Sequence, residues 1–423
     1  MIMKIDNSVR VESRLWGKYF ILTCAGALFY SYSMQILNSN LSLFASETWG
    51  SNSLGGLLTT IFNAGSIAMA FFSGRLVDVR GRRNCLVAGS LLFGIPTFAC
   101  ALWPTPAILL AVRLIQGIAK GLITVASSSI VADVVSKSRL AEGIGFYGLA
   151  STLAMAFGPM LGLAVVDGGG YSSMFVVCAV LTILTGVAGI WVNYEKKDEY
   201  RKLVEERRHL VKEEDKTSAY TGIWKLIEKK ALPASINYTV FFASNCCILV
   251  FITVYSREIL GLEFSRISLF YTVASIFMFG ARLFLGKVSD KYGALYTIVP
   301  GHIANAVALI LLAFFARSYS LYLLAGGLYG MAQAAVMPSM NAVAVVDSPE
   351  GRSGAANATF YCLMDIGIMI GSAVFGMVID SAAIPADGYR DVYLISLAIC
   401  VLSLTMSILL FNKKARARRI ETA

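Results

Sequence analysis

Stretches of about twenty apolar residues, almost free of charge, recur along the whole 423-residue chain. Each is close to the ~20 residues a helix needs to cross the hydrocarbon of a bilayer. Hydropathy places twelve of them, at 16–38, 54–73, 84–103, 107–135, 141–165, 172–194, 232–255, 267–286, 295–316, 320–346, 354–379 and 391–411. Inside hydrocarbon every backbone N–H and C=O must find a partner within the protein, so only helices and closed barrels span it. A barrel would show short segments of alternating apolar and polar residues, and none appear here. The chain is expected to be an all-α polytopic membrane protein. The first run, from Tyr19, continues too far and lacks a small-residue cleavage site, so it reads as a span rather than a removed leader.

A net charge of +10 could suggest nucleic acid, so its distribution matters. Of the 36 Lys and Arg residues, 29 fall in the N-terminus, the 74–83 loop, Lys137/Arg139, the 195–230 segment, Lys287/Lys291, Arg352 and the tail from Lys413. Loops alternate between rich and poor in basic residues, the pattern of the positive-inside rule. The basicity is topological, and no nucleic-acid partner is expected. Twelve spans put both termini on one side, and the basic ends place that side in the cytoplasm.

The eight cysteines lie in or beside apolar runs without Cys-x-x-Cys spacing and read as small buried hydrophobes. His209 and His302 stand apart from any cysteine or carboxylate cluster, so no metal site is expected. No Gly-x-Ser-x-Gly, His-Glu-x-x-His or phosphate loop is present, which argues against an enzyme and against direct use of ATP.

A polar stretch of mixed charge, residues 195–230, divides the spans six and six and reads as a cytoplasmic linker with surface helices. The expected units are 1–194, the linker, 231–412 and a basic tail at 413–423. The halves repeat. Gly74, Asp78 and Gly81 recur as Gly286, Asp290 and Gly293 at an offset of 212. Further on, Arg139, Gly158 and Asp167 align with Arg352, Gly371 and Asp380 at an offset of 213. Parallel repeats related by an axis along the membrane normal are a transporter plan, with substrate held near the midplane between them.

With these motifs the chain resembles the major facilitator superfamily. The loop at Gly74, Leu76, Asp78, Gly81, Arg82 and Arg83 is similar to the family's Gly-x-Leu-Ala-Asp-Arg-x-Gly-Arg-Lys, with Val79 where Arg is usual. Arg113, Gln116 and Gly117 resemble its Arg-x-x-Gln-Gly motif. Gly158, Pro159 and Gly162 resemble the antiporter signature Gly-x-x-x-Gly-Pro-x-x-Gly-Gly, with Ala154 and Leu163 in place of glycines. The resemblance implies twelve helices in two pseudo-symmetric six-helix bundles. It also implies that Asp78 faces the N-terminus of span 11 and that Arg82 pairs with Asp133, latching the cytoplasmic side. The two loop glycines are expected to permit tight turns.

Ionisable groups within a membrane are functional candidates by default. The clear ones are Arg113, Lys120 and Asp365; Asp133, Glu142 and Arg282 lie near helix ends and can snorkel. Arg113 and Lys120 are seven apart and share a face of span 4. Lys120 lies roughly 20 Å along its span and Asp365 roughly 18 Å along the other, both near the midplane of a core ~30 Å thick. Asp365 is the expected proton carrier or cation ligand. Lys120, Arg113 and Gln116 are expected to meet an anionic group, or the cations to pair with Asp365. Gln35, Asn38, Asn63, Asn245, Gln333 and Asn341, with Asn40 and Asn357, are polar cavity candidates. Small residues at Gly158, Gly162, Gly367 and Gly371, with Pro159, are expected to form the interface on which the halves rock.

The function these features imply is secondary active transport by alternating access: proton-coupled efflux of a small organic metabolite or drug. It would be driven by the proton gradient without a cofactor, by a monomer in the bacterial cytoplasmic membrane. Proton-linked uptake of an organic anion is the alternative, and a non-transporting sensor is a third reading. Span 1 lacks the acidic residue common in the family's cation exporters, so an anionic or zwitterionic substrate fits Arg113, Lys120 and Asp365 better.

Overall fold

The computed structural model describes residues 15–135, 139–196, 227–349 and 353–421. The expected surface helices of the linker fall on 197–226 and lie outside these residues. The apolar runs are helices: α1 (Lys18–Trp49), α2 (Asn52–Arg80), α3 (Arg82–Leu102) and α4 (Pro106–Val134). A 51-residue helix, Leu140–Ile190, breaks at Gly170, where φ is 71° and ψ −178°. Its arms, 140–169 and 171–190, are α5 and α6. The second half comprises α7 (Leu232–Val254), α8 (Phe264–Tyr292), α9 (Leu295–Ile310), α10 (Tyr319–Val346), α11 (Ser353–Ser381) and α12 (Pro385–Glu421). Eleven described helices are long and apolar enough to cross a membrane, and the break at Gly170 makes the longest of them two crossings.

Local chemistry sets the helix ends. Gly50, at φ 63°, ends α1, and the Ser51 hydroxyl accepts from the Leu54 N–H to start α2. Thr105 caps α4 ahead of Pro106, whose fixed φ and missing N–H suit a first helical position. Gly81 and Gly293, equivalent in the two halves, sit at φ 92° and 99° where α2 and α8 stop. A side chain is strained there, so the repeat preserves a backbone turn as well as a charge pattern. Gly74 corrects the expectation of two tight turns. It lies inside α2, and a Cβ added to it would meet nothing within 4 Å.

Each half packs around its own core. Phe62, Phe93 and Phe175 anchor the first and Phe241, Phe251 and Phe270 the second. Within the halves α1 packs on α5 and α7 on α11. The halves meet through α2 against α11, α5 against α8 and α1 against α7. This corrects the assignment of the rocking glycines. A Cβ at Gly158 would lie 2.7 Å from Gln35 Cβ, and one at Gly162 would lie 2.2 Å from Asn40 Nδ2, both on α1. Gly367 and Gly371 likewise face Thr239 and Cys246 on α7. These four close two helix pairs, one inside each half. The small residues between halves are Gly56, whose Cβ would meet the Ser372 carbonyl oxygen at 2.1 Å, and Gly376, whose Cβ would meet the Asn52 oxygen at 2.8 Å.

Candidate functional site

Span 4 carries its two cations seven residues apart, and both reach the same ring. Arg113 Cζ lies 4.1 Å and Lys120 Nζ 5.4 Å from the centroid of Phe62 on α2. From there they diverge. Lys120 crosses between the halves, its Nζ donating to Asp365 Oδ2 at 3.0 Å and to Oδ1 at 3.2 Å. Ser66 on α2 donates to the same Oδ2 at 3.0 Å. Asp365 is buried, and the Lys120 side chain keeps 18% of its surface. Opposite charges at this depth attract far more strongly than in water, and removing one leaves the other buried and uncompensated. The two halves are thus tied midway along α4 and α11 by a pair whose members come from different halves.

Arg113 does not reach Asp365. Its Nε donates to the Leu58 carbonyl at 3.3 Å, Nη1 to Gln116 Oε1 at 3.1 Å and Nη2 to Asn38 Oδ1 at 2.9 Å. Gln116 passes the chain on, donating to Thr97 Oγ1 at 2.7 Å. Every partner is neutral, so a buried guanidinium stands without a carboxylate.

Beside this network lies a narrow cleft of about 30 Å³, lined by Gln35, Asn38 and Ser39 of α1, Met155 and Pro159 of α5, Ile248 and Leu249 of α7, Tyr271 and Met278 of α8, and Tyr329 of α10. It draws on both halves. Of the polar cavity candidates, Gln35 and Asn38 line it. Asn63 and Asn245 are buried and donate to carbonyls of their own helices, at Thr59 and Phe241. Gln333 is buried in α10 and Asn341 half-buried, and neither lines the cleft.

At the basic end, Arg82 Nη2 donates to Asp78 Oδ1 at 2.7 Å and its Nε lies 3.1 Å from Asp133 Oδ2. Tyr194 donates to the same Asp133 oxygen at 3.0 Å. Burial, with Asp133 beside it, pushes the Tyr194 hydroxyl well above its ordinary pKa, so it stays a donor. Asp78 is therefore held by Arg82 of its own half, and among the described residues it makes no hydrogen bond to the N-terminus of α11, which it is expected to face. Arg83 Nε donates to the Ile190 carbonyl at 3.1 Å. Gly286 lies inside α8, and the side chain of Asp290 lies outside the description. Sequence reading missed Glu195, whose carboxylate accepts from the Arg82 N–H at 2.7 Å and the Arg83 N–H at 3.3 Å, filling the amide end of α3.

The opposite end is closed across the halves. Asp380, on α11, accepts from the Asn52 N–H at 3.0 Å and the Ser53 N–H at 2.7 Å, so one half caps the helix of the other. Tyr389 donates to Asn52 Oδ1 at 2.9 Å, and Ser46 donates to Glu258. Arg257 lies 3.6 Å from Glu47, which also accepts from Tyr171 at 2.6 Å.

The model of the Major Facilitator Superfamily matches residues 23–372 and 234–423. The chain belongs to the major facilitator superfamily. Among relatives within it, a tetracycline resistance protein of class B from Escherichia coli is 23% identical over 422 residues, covering 95% of this chain and 98% of that protein. A multi-drug resistance efflux pump, the PmrA homolog of Lactococcus lactis, is 24% identical over 390 residues, 89% of this chain and 92% of the relative. The fold matches a bacterial homolog of the human lysosomal transporter Spinster, solved inward-facing and unoccupied. The TM-score is 0.75 at 15% identity, over 92% of this chain and 96% of that one. The superfamily fold, with its twelve-helix plan, is that of this chain, a membrane transporter and not an enzyme.

Proposed function

We propose that this transporter exports a small organic molecule in exchange for protons. The observation that carries the reading is the Lys120–Asp365 pair, held between halves and open on the Lys120 side. A proton arriving on Asp365 removes its charge and releases Lys120, so the tie between α4 and α11 loosens. Deprotonation restores it. Proton occupancy of Asp365 thus sets how strongly the halves hold at the midplane, which is what coupling a gradient to alternating access requires. Efflux is supported by the relatives named for tetracycline and multidrug resistance, and by Gly158, Pro159 and Gly162 in α5. The basic end is assigned to the cytoplasm from its lysines and arginines. With the far end closed by Asp380 and Asn52, the structure then represents a state shut to the outside.

The test uses everted membrane vesicles given an acid interior, with tetracycline as the first probe. Exchange predicts accumulation that collapses with the pH gradient and is absent in Asp365→Asn. Gradient-independent accumulation, or full activity in that variant, contradicts the proposal. A second reading, uptake of an organic anion with a proton, rests on Arg113 having only neutral partners. It predicts that the same probes enter right-side-out vesicles when the outside is acid.

A further inference from the structure

We infer that the central cleft carries a dock for an anionic oxygen, a carboxylate or enolate on an apolar or aromatic body, formed by Asn38 and Gln35 with Arg113 behind them. The inference rests on the transporter reading above and names the substrate class for it. Arg113 Nη2 donates to Asn38 at 2.9 Å, which fixes the amide orientation: the oxygen must face the guanidinium. The Nδ2 of Asn38 is then the atom left to face elsewhere. Among the described residues it has no hydrogen-bond partner, it is not among the buried unsatisfied atoms, and Asn38 is half-buried and lines the cleft, so this N–H donor opens onto the cleft. Gln35, one turn earlier on the same face of α1, also lines the cleft; its backbone carbonyl accepts from the Ser39 hydroxyl, while its side-chain amide makes no hydrogen bond among the described residues.

Charge points the same way. Arg113 is 2% exposed and its partners are the Leu58 carbonyl, two amides and the Phe62 ring. Lys120 and Asp365 cancel each other, so the uncompensated charge behind the cleft wall is that of Arg113, relayed through an amide whose donor end faces the open space. A buried unpaired charge is costly, and an anion one amide away offsets that cost. A cationic ligand would meet the guanidinium's field and a donor where it needs an acceptor. The remaining wall, with Met155, Met278 and Tyr271, is mostly apolar and aromatic, its Ser39 and Ser275 hydroxyls donating to carbonyls of their own helices, which sets the body of the ligand.

Matched fluorescent probes test this on the full-length purified protein in detergent, without a gradient: 2-naphthoate against 2-naphthylmethylammonium. Wild type should prefer the carboxylate. Asn38→Asp keeps an acceptor for Arg113 while neutralising it and removing the donor, so naphthoate affinity should fall about tenfold to a hundredfold. Should that variant fold poorly by thermal melt, Gln35→Met removes the second amide alone and should weaken naphthoate by several-fold. No preference for naphthoate in wild type, or naphthoate affinity unchanged in the variant that folds, overturns the dock. Gradient-driven flux in liposomes is measured separately. Flux that persists while the preference is absent sinks the dock alone, and a preference that persists without flux sinks exchange alone while supporting the dock.

Discussion

At the scale of single residues, the two cations of span 4 do different work although they stand on one face of one helix. Arg113 organises neutral groups from α1, α2 and α4 through a planar fork of donors, which a lysine cannot reproduce. Arg113→Lys should therefore lower stability by about 2–3 kcal/mol, read as a lower melting temperature, because at least two buried acceptors lose their donor. Lys120 and Asp365 act as a pair, so their effects should not add. Lys120→Met and Asp365→Leu should each destabilise by about 3–5 kcal/mol, and the double variant by much less than the sum. Additive losses in that cycle would mean the pair contributes nothing as a pair. The ionisable residues were legible in the sequence because charge is scarce in apolar runs. Which cation meets Asp365 was not, since span 4 offers both on one face and only the packing of α2 and α11 decides. Ser66 was invisible for a plainer reason: a hydroxyl in a helix gives no sequence signal of the carboxylate it will meet.

At the scale of elements, the helices and the repeat could be read directly, and the contacts of small residues could not. Hydropathy and the offset of 212 locate the equivalent turns at Gly81 and Gly293, and positive φ at both explains why glycine stands there. Gly81→Ala should cost about 1–2 kcal/mol from backbone strain, in addition to crowding Glu195, whose oxygen would lie 3.1 Å from the new Cβ. Gly158 and Gly371 mark close pairs within each half, whereas Gly56 and Gly376 mark the seam between halves. A glycine announces close approach without saying to what, so periodicity could not separate the two classes. Gly56→Leu cannot fit against the Ser372 carbonyl and should hold α2 away from α11. A cysteine substituted for Ser372 should then react faster with a membrane-impermeant maleimide than it does beside the native glycine. Equal rates would place the seam elsewhere.

At the scale of the whole molecule, two cores meet along a seam that the proposed exchange would open at one end while the other stays closed. Here Asp380 caps α2 across the halves at the far end, and Asp78 is held within its own half at the basic end. The midplane pair lies between these ends, and the α2–α11 seam that leads to it is the same surface that carries Gly56, Ser66 and Asp365. In the proposed exchange, protonation of Asp365 would act where the halves meet. The central claim is that Asp365 couples proton movement to the exchange of substrate, and proton flux in liposomes reports on it directly. Reconstituted wild type given a pH gradient should release protons when a transported probe is added to the opposite side, and Asp365→Asn should still bind the probe while releasing none. Probe-driven proton movement of wild-type size in Asp365→Asn would contradict the account.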